Sequence, residues 1–408
     1  MKLYHITAVL FIIVLVLTFV LTKPDPVIRI DTADELEELF STPQQNIKVI
    51  LASGLYDLSP ETIIDSTCGN CEESDTLITA TAGLIISGKE IYITGPEDRS
   101  AVIKTNSGYG LYILNCDNCL LENLTITGGT RDSSAFATDA AIVVKKSKVK
   151  IRNNKISRNY GDLDLIKKNI VGIIGICGRE NSELRIYNNL ITKNSWDGIA
   201  LYRDSYAVIE ENIIDGVHKA SSRTAQGGRG VGIGLTWNAK AVIKNNLVKR
   251  YWKGIGLFVN AEATVENNII EDIITWGLSL WNAEKGNPKG FIKNNIIYKT
   301  GAMGCSITSA TEDNPGYFTD NIIVQTAQDS AYDSPDYYGF QCALAQHLIP
   351  AGFKIDNNIF YNNRHFDPRF SNNDWDLTDF ENELKVNRER INRIMVLKES
   401  DFYHDFIE

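Results

Sequence analysis

Between Gly198 and Ile270 the apolar positions spell one seventeen-residue phrase three times: GIALYRDSYAVIEENII, GIGLTWNAKAVIKNNLV and GIGLFVNAEATVENNII. Each copy holds two short runs in which apolar and other residues alternate. Ile199/Leu201, Ile233/Leu235 and Ile255/Leu257 mark the first run, and Ile209, Ile243 and Val265 mark the second. Period two predicts strands and fits no helical stripe. The phrase closes on an Asn with an aliphatic residue two positions later, and this ending recurs at Asn154, Asn189, Asn212, Asn246, Asn268, Asn295 and Asn321, with Asn123 (Thr125 two positions on) and Asn358 (Phe360) read as two further copies. Spacings of 23 residues (Asn189 to Asn212) and 22 residues (Asn246 to Asn268) lie in the solenoid range.

Two solenoids compete for this pattern. A leucine-rich repeat wants Leu at the fifth and eighth positions before its Asn. Here the fifth holds Ala207, Ala241, Ala263 and Gly290, and the eighth holds Asp204, Asn238, Asn260 and Asn287. The pattern therefore predicts an all-β coil of short parallel strands, in which turns of 22 residues leave no room for helices. At this point residues 47–360 resemble the right-handed parallel β-helix (pectate-lyase-like) superfamily, whose coils read G-I-x-L…I-x-N-N-x-I. The resemblance implies a single-stranded solenoid with helical caps. Its members include polysaccharide lyases, glycoside hydrolases, C5-epimerases, adhesins and tailspikes, so it implies a fold and leaves the activity open.

Stacking coils about 4.8 Å apart turns equivalent residues into ladders. At least eight coils are expected, with Ile209, Ile243, Val265 and Ile292 in one internal column. Glu210, Lys244, Glu266 and Lys293 alternate in sign, as an exposed sheet face favours. The Asn residues are expected to bond coil to coil, and Gly254 and Gly277 to let the chain turn tightly.

The remaining sequence supplies ends and walls. Residues 1–23 contain the apolar run 6–22 behind Lys2 with no small-x-small cleavage site, which predicts an uncleaved signal-anchor, or a cleaved signal; either exports the rest. Residues 24–46 form an N-terminal cap, where Thr32 and Glu35 make a capping box ahead of Leu36, Leu39 and Phe40. Residues 47–361 are the β-helix. Residues 362–408 form a C-terminal cap and tail, where Thr378 and Glu381 repeat the capping pattern ahead of Phe380, Leu384, Ile391, Ile394 and Met395. Residues 371–408 hold ten acids against five Lys/Arg and carry half of the net charge of −10, so the solenoid is only mildly acidic and no nucleic-acid partner is indicated. Of seven cysteines, Cys68/Cys71 and Cys116/Cys119 form Cys-x-x-Cys pairs, read as disulfides with a four-cysteine zinc site as the alternative; Cys177, Cys305 and Cys342 read as buried thiols. Long links at 127–139, 157–171, 215–231 and 324–338 should wall one side of the coil.

Motifs narrow the chemistry. The Asn-Thr-Asp, Asp-Asp and Gly-His-Gly elements of polygalacturonases and the Asp-Pro-His-Asp of alginate epimerases are missing, as are P-loop, Gly-x-Ser-x-Gly and His-Glu-x-x-His motifs. Trp196-Asp197-Gly198 and Trp252-Lys253-Gly254 stand out, placed two rungs and about 10 Å apart with Gly230-Val231-Gly232 between them. They predict the floor of a groove along the solenoid for an acidic polysaccharide. Trp196, Arg203, Trp237, Trp252 and Trp276 are the candidate sugar-binding residues, and Asp197, Lys253, His218 and Arg229 the candidate catalytic ones. Cationic or metal neutralisation of a uronate carboxylate acidifies the α-proton that a base then removes. Arg203 or Arg229 can neutralise it, or a Ca²⁺ on Asp197 and Asp204, with Lys253 or His218 as base. A lyase or hydrolase, a non-catalytic carbohydrate-binding protein and a structural envelope solenoid remain the three readings; the first needs titratable groups converging in the groove.

Overall fold

The computed structural model describes residues 26–161, 172–216, 230–308, 315–327, 342–348, 352–364 and 385–386. Equivalent strands of successive coils pair in parallel and build a three-faced β-helix. Face A carries the first run of each phrase (Ile199–Leu201, Val231–Leu235, Lys253–Phe258, Trp276–Trp281). Face B carries the second (Tyr206–Glu210, Lys240–Lys244, Glu262–Glu266, Lys289–Lys293). Face C follows the Asn (Ile213–Asp215, Leu247–Lys249, Ile269–Ile273). Face C is an eleven-stranded sheet. Faces A and B join into one 21-stranded sheet because Ile78–Thr94 and Tyr109–Glu122 run through the corner between them.

The core follows from the alternation. Ile209, Ile243, Val265 and Ile292 are aligned rung to rung and fully buried, as expected. The outer edge of the same strands carries the charges: Lys244 lies 3.3 Å from Glu266, and Glu266 lies 3.2 Å from Lys293. These half-buried surface pairs contribute little individually. They keep like charges off adjacent rungs.

The Asn-Asn pair divides its work between two residues. The second Asn forms a buried ladder: Asn246 Oδ1 accepts from Asn212 N and Nδ2, both at 3.0 Å, and the pattern runs from Asn154 to Asn358. The residue before it takes a left-handed φ, near 55° at Asn153, Asn245, Asn267 and Asn294, which Asn tolerates better than most residues. Asn123 is one step out of phase. It has φ 56° and occupies the turn position, while Leu124 takes the ladder place and donates its N–H to Asn154. Eight Asn residues therefore make the ladder, not nine.

The glycine corner also has a different cause from the one expected. Gly254 and Gly277 are not in left-handed conformations. A Cβ on Gly254 would stand 2.3 Å from the carbonyl oxygen of Gly277 and 2.5 Å from a methyl of Ile270, and Gly198, Gly232 and Gly304 face the same obstruction. Close approach of the next coil, not chain reversal, demands glycine.

At the N-terminal end, strand Val27–Ile30 pairs with Gln44–Leu51, and the helix Ala33–Phe40 covers the first coil with Leu36 and Phe40. Both halves of the capping box form: Glu35 N–H donates to the Thr32 hydroxyl at 3.3 Å, and Thr32 N–H to the Glu35 carboxylate at 3.2 Å. Of the C-terminal helix expected from the capping pattern, Lys385 and Val386 are described and helical. The apolar run 6–22 and its signal-anchor reading lie outside the described residues. Among those described, no helix is long and apolar enough to cross a membrane.

One element breaks the repeat. Glu61–Asp65 pairs antiparallel with the start of Ile78–Thr94, and the connection between them folds over the outside of face A. Its tip is closed by a Cys68–Cys71 disulfide. Beneath this strap lies a buried charge network: Arg179 and Lys145 both pair with Asp65, and Arg179 also pairs with Glu180 at 2.6 Å. Burial alone raises the Asp65 carboxyl; the charges of Arg179 and Lys145 more than reverse this and hold it below the usual range.

The strap's second strand rests on a pair of carboxylates. Thr81 donates its N–H at 3.0 Å and its hydroxyl at 2.7 Å to Asp132, whose own N–H donates to Asp139 at 3.1 Å. Burial and the neighbouring Asp132 push Asp139 up to about 8, against the opposing charge of Arg131. A proton held in the folded state but released on unfolding makes stability fall as pH rises from the unfolded pKa of about 3.9. The loss is complete above about 8. Asp139→Asn is expected to flatten that fall relative to wild type in melting temperatures recorded from pH 4 to 9; parallel curves would show that the pair does not share a proton.

Candidate functional site

The repeat places the outward residues of face A in three columns. Register aligns Asp197, Val231, Lys253, Trp276 and Met303 at the strand start. Ala200, Gly234, Gly256, Ser279 and Ser306 follow in the middle. Tyr202, Thr236, Phe258, Trp281 and Thr308 stand at the end. Small residues in the middle with large ones on both sides leave a depression. There the structure forms a cleft of about 780 Å³, lined by Trp196, Asp197, Trp237, Trp252 and Lys253 among the residues singled out from sequence. Tyr202, Phe258, Trp281, Lys285 and Asn70 complete much of the wall. Pockets of this size take small ligands.

Asp197 is 6% exposed and accepts a hydrogen bond from Val231 N–H at 2.6 Å. Gly230 packs against its carboxylate so closely that a Cβ there would overlap it. Burial pushes Asp197 up to about 7; the Val231 bond and the charge of Lys253 oppose the rise. Lys253 stands two rungs away, about 10 Å by rung spacing. Its ammonium lies 4.3 Å from the ring centre of Trp276, 4.9 Å from Phe258 and 5.3 Å from Trp281. Burial among these rings pulls Lys253 down to about 8, and the Asp197 charge resists. An acid and an amine, both drawn toward neutrality, thus face one aromatic cleft.

Other candidates are placed differently. Trp276 meets Lys253 but packs with Ala302, Met303 and Cys342. Arg203 is committed to the strap: its guanidinium donates to the Cys68 and Cys71 carbonyls and stacks on Trp237 at 5.4 Å. It anchors the tip and is not among the residues lining the cleft. Asp204 is exposed in a left-handed turn outside the cleft lining. Asp197 is buried in the cleft wall and Asp204 is exposed outside it, so the structure does not bring together the two carboxylates expected to hold Ca²⁺. His218 and Arg229 lie outside the described residues. Cys116 and Cys119 are joined to each other, so both Cys-x-x-Cys pairs are disulfides and the zinc alternative is not adopted. Cys177, Cys305 and Cys342 are buried, as expected.

Sequence reasoning missed Phe258 and Trp281, although both sit at the fifth position of the aligned phrase, the place held by Tyr202 and Thr236. It also missed Asn70 and Lys285. Lys285 pairs with Glu72 of the strap tip and so joins the tip to the turn after Trp281.

A family model described as a right handed beta helix region matches residues 91–222. No curated protein sequence matches. Among solved structures, the chain is similar to a hyperthermoactive exopolygalacturonase from Thermotoga maritima, at 13% identity over 85% of this chain and 94% of that one, with a TM-score of 0.47. It is similar to an alginate lyase from Paenibacillus sp. str. FPU-7, at 13% identity over 81% and 99%, TM-score 0.42. It is also similar to PfbA, a surface adhesin of Streptococcus pneumoniae, at 14% identity over 84% and 71%, TM-score 0.42.

Proposed function

We propose that this right-handed parallel β-helix protein is exported and cleaves an acidic polysaccharide by β-elimination in the face A cleft. The observation that carries this reading is the pairing of Asp197 and Lys253, a raised carboxyl and a lowered amine, across one aromatic pocket. Such tuning concentrates at functional sites. Two disulfides fit an oxidising compartment, and the apolar run 6–22 fits export with membrane anchoring.

The chemistry divides between the two groups. Neutral Lys253 takes the proton α to the sugar carboxylate. The released electron pair forms a carbon–carbon double bond, the β carbon–oxygen bond breaks, and the leaving oxygen takes the proton of Asp197. Trp196, Trp237 and Trp252 supply apolar surface to the rings. Hydrolysis by two carboxyl groups fits less well, because Asp197 is the one carboxylate among the described residues lining the cleft.

Non-catalytic carbohydrate binding is the second reading, favoured by the three rings around Lys253, which suit a cation held as a cation. Purified residues 24–408 incubated with polygalacturonate and with alginate decide between them. Ultraviolet absorbance from an unsaturated product is expected from one polymer; binding without product moves the protein to the second reading, and neither removes both.

A further inference from the structure

We infer that the cleft accepts the end of a sugar chain and not its interior. This rests on the sugar-binding reading of the same site and adds the mode of recognition. A polymer crossing face A would need the middle column, Ala200, Gly234, Gly256 and Ser279, as a continuous trough. The trough is interrupted on both sides of Gly234.

On one side, Ala200 is fully buried, and the outward residues of the preceding coils, Cys177, Val143 and Tyr112, are buried with it beneath the strap. The strap is fixed there by fully buried Arg179, which donates to Thr138 and to the Thr67 carbonyl at 2.8 Å as well as pairing with Asp65. On the other side, the ring of Phe258 stands over Gly256, where a Cβ would meet it at 2.3 Å, and packs edge-on against Trp281 at 6.3 Å. Over Gly234 there is room: a Cβ there would meet Val231 at 3.4 Å and nothing closer. The strap tip closes the turn side, since Arg203 holds the tip carbonyls and Glu72 reaches Lys285. Asp197 and Lys253 close the opposite side. The acid/base pair therefore forms one wall of a pocket that an internal segment cannot traverse. The substrate class is a terminal residue, or a short oligomer, of a uronate chain.

Binding of galacturonate and mannuronate hexamers to the full protein tests this by calorimetry, each hexamer presented free, capped by a bulky fluorophore at one end or the other, or capped at both. A free hexamer is expected to bind, and capping both ends is expected to weaken it at least tenfold, with one single-end cap doing as much. Equal affinity of free and doubly capped hexamers overturns chain-end recognition while leaving the sugar-binding reading standing. No binding of any hexamer overturns that reading, and this inference with it. As a structural control, Phe258→Ala should melt near wild type and admit the doubly capped hexamer better than wild type does; no gain would contradict the role given to that ring.

Discussion

Ile243→Asp is expected to lower the unfolding free energy by about 5 kcal/mol or more, enough to abolish most of the stability of an ordinary domain. Ile243 is fully buried between Ile209 and Val265, its Cα partners on the rungs to either side. Deleting its aliphatic bulk costs about 2–5 kcal/mol in comparable cores. The carboxylate adds the cost of a polar group among Ile and Val side chains that offer it no hydrogen bond. Because each coil rests only on its neighbours, the break divides the stack rather than loosening it evenly. Ile243→Val should cost only about 0.5–1.5 kcal/mol. Urea unfolding followed by far-ultraviolet circular dichroism gives both values, and an Asp variant as stable as its parent would mean that the register is wrong.

The second large effect belongs to the acid/base pair. Lys253→Met is expected to lower kcat by about 10²–10⁴-fold, the usual worth of a positioned proton-transfer group, with oligosaccharide affinity changed far less. The pH profile separates the roles. Lys253 must have lost its proton, so activity rises toward about 8; Asp197 must have kept its own, so activity falls above about 7. The two limbs make a narrow optimum between those values. Asp197→Asn retains an oxygen for the Val231 N–H and cannot ionise, so it should slow turnover and remove the falling limb. An unchanged profile in that variant would take Asp197 out of the reaction.

The fold was legible wherever the sequence repeats itself. Period-two alternation placed the internal column, and sign alternation placed Lys244 between Glu210 and Glu266 on successive rungs. Asn123 was misplaced by one step because the two residues of an Asn-Asn pair answer different demands, a left-handed φ and a ladder bond, and a spacing count cannot tell them apart. The strap was invisible for the opposite reason. Asp65 and Arg179 are 114 residues apart and belong to no repeat, so only the fold brings them together. That missing element also explains the expectation of an open groove, and the bonds from Arg203 to the strap tip could not be foreseen without it. Asp197, Lys253 and the tryptophans beside them were legible because they interrupt an otherwise aliphatic and glycine-rich phrase, and the rung spacing predicted that they would share one depression.

The central claim is that an acidic sugar occupies the cleft beside Lys253. Amine acylation at pH 8, read lysine by lysine by mass spectrometry with and without saturating galacturonate or mannuronate oligomer, tests it directly. Lys253, drawn down to about 8 by burial, is expected to react in the free protein and to be protected when the oligomer binds. Bound oligomer that leaves Lys253 labelling unchanged while shielding lysines of face B would contradict the account.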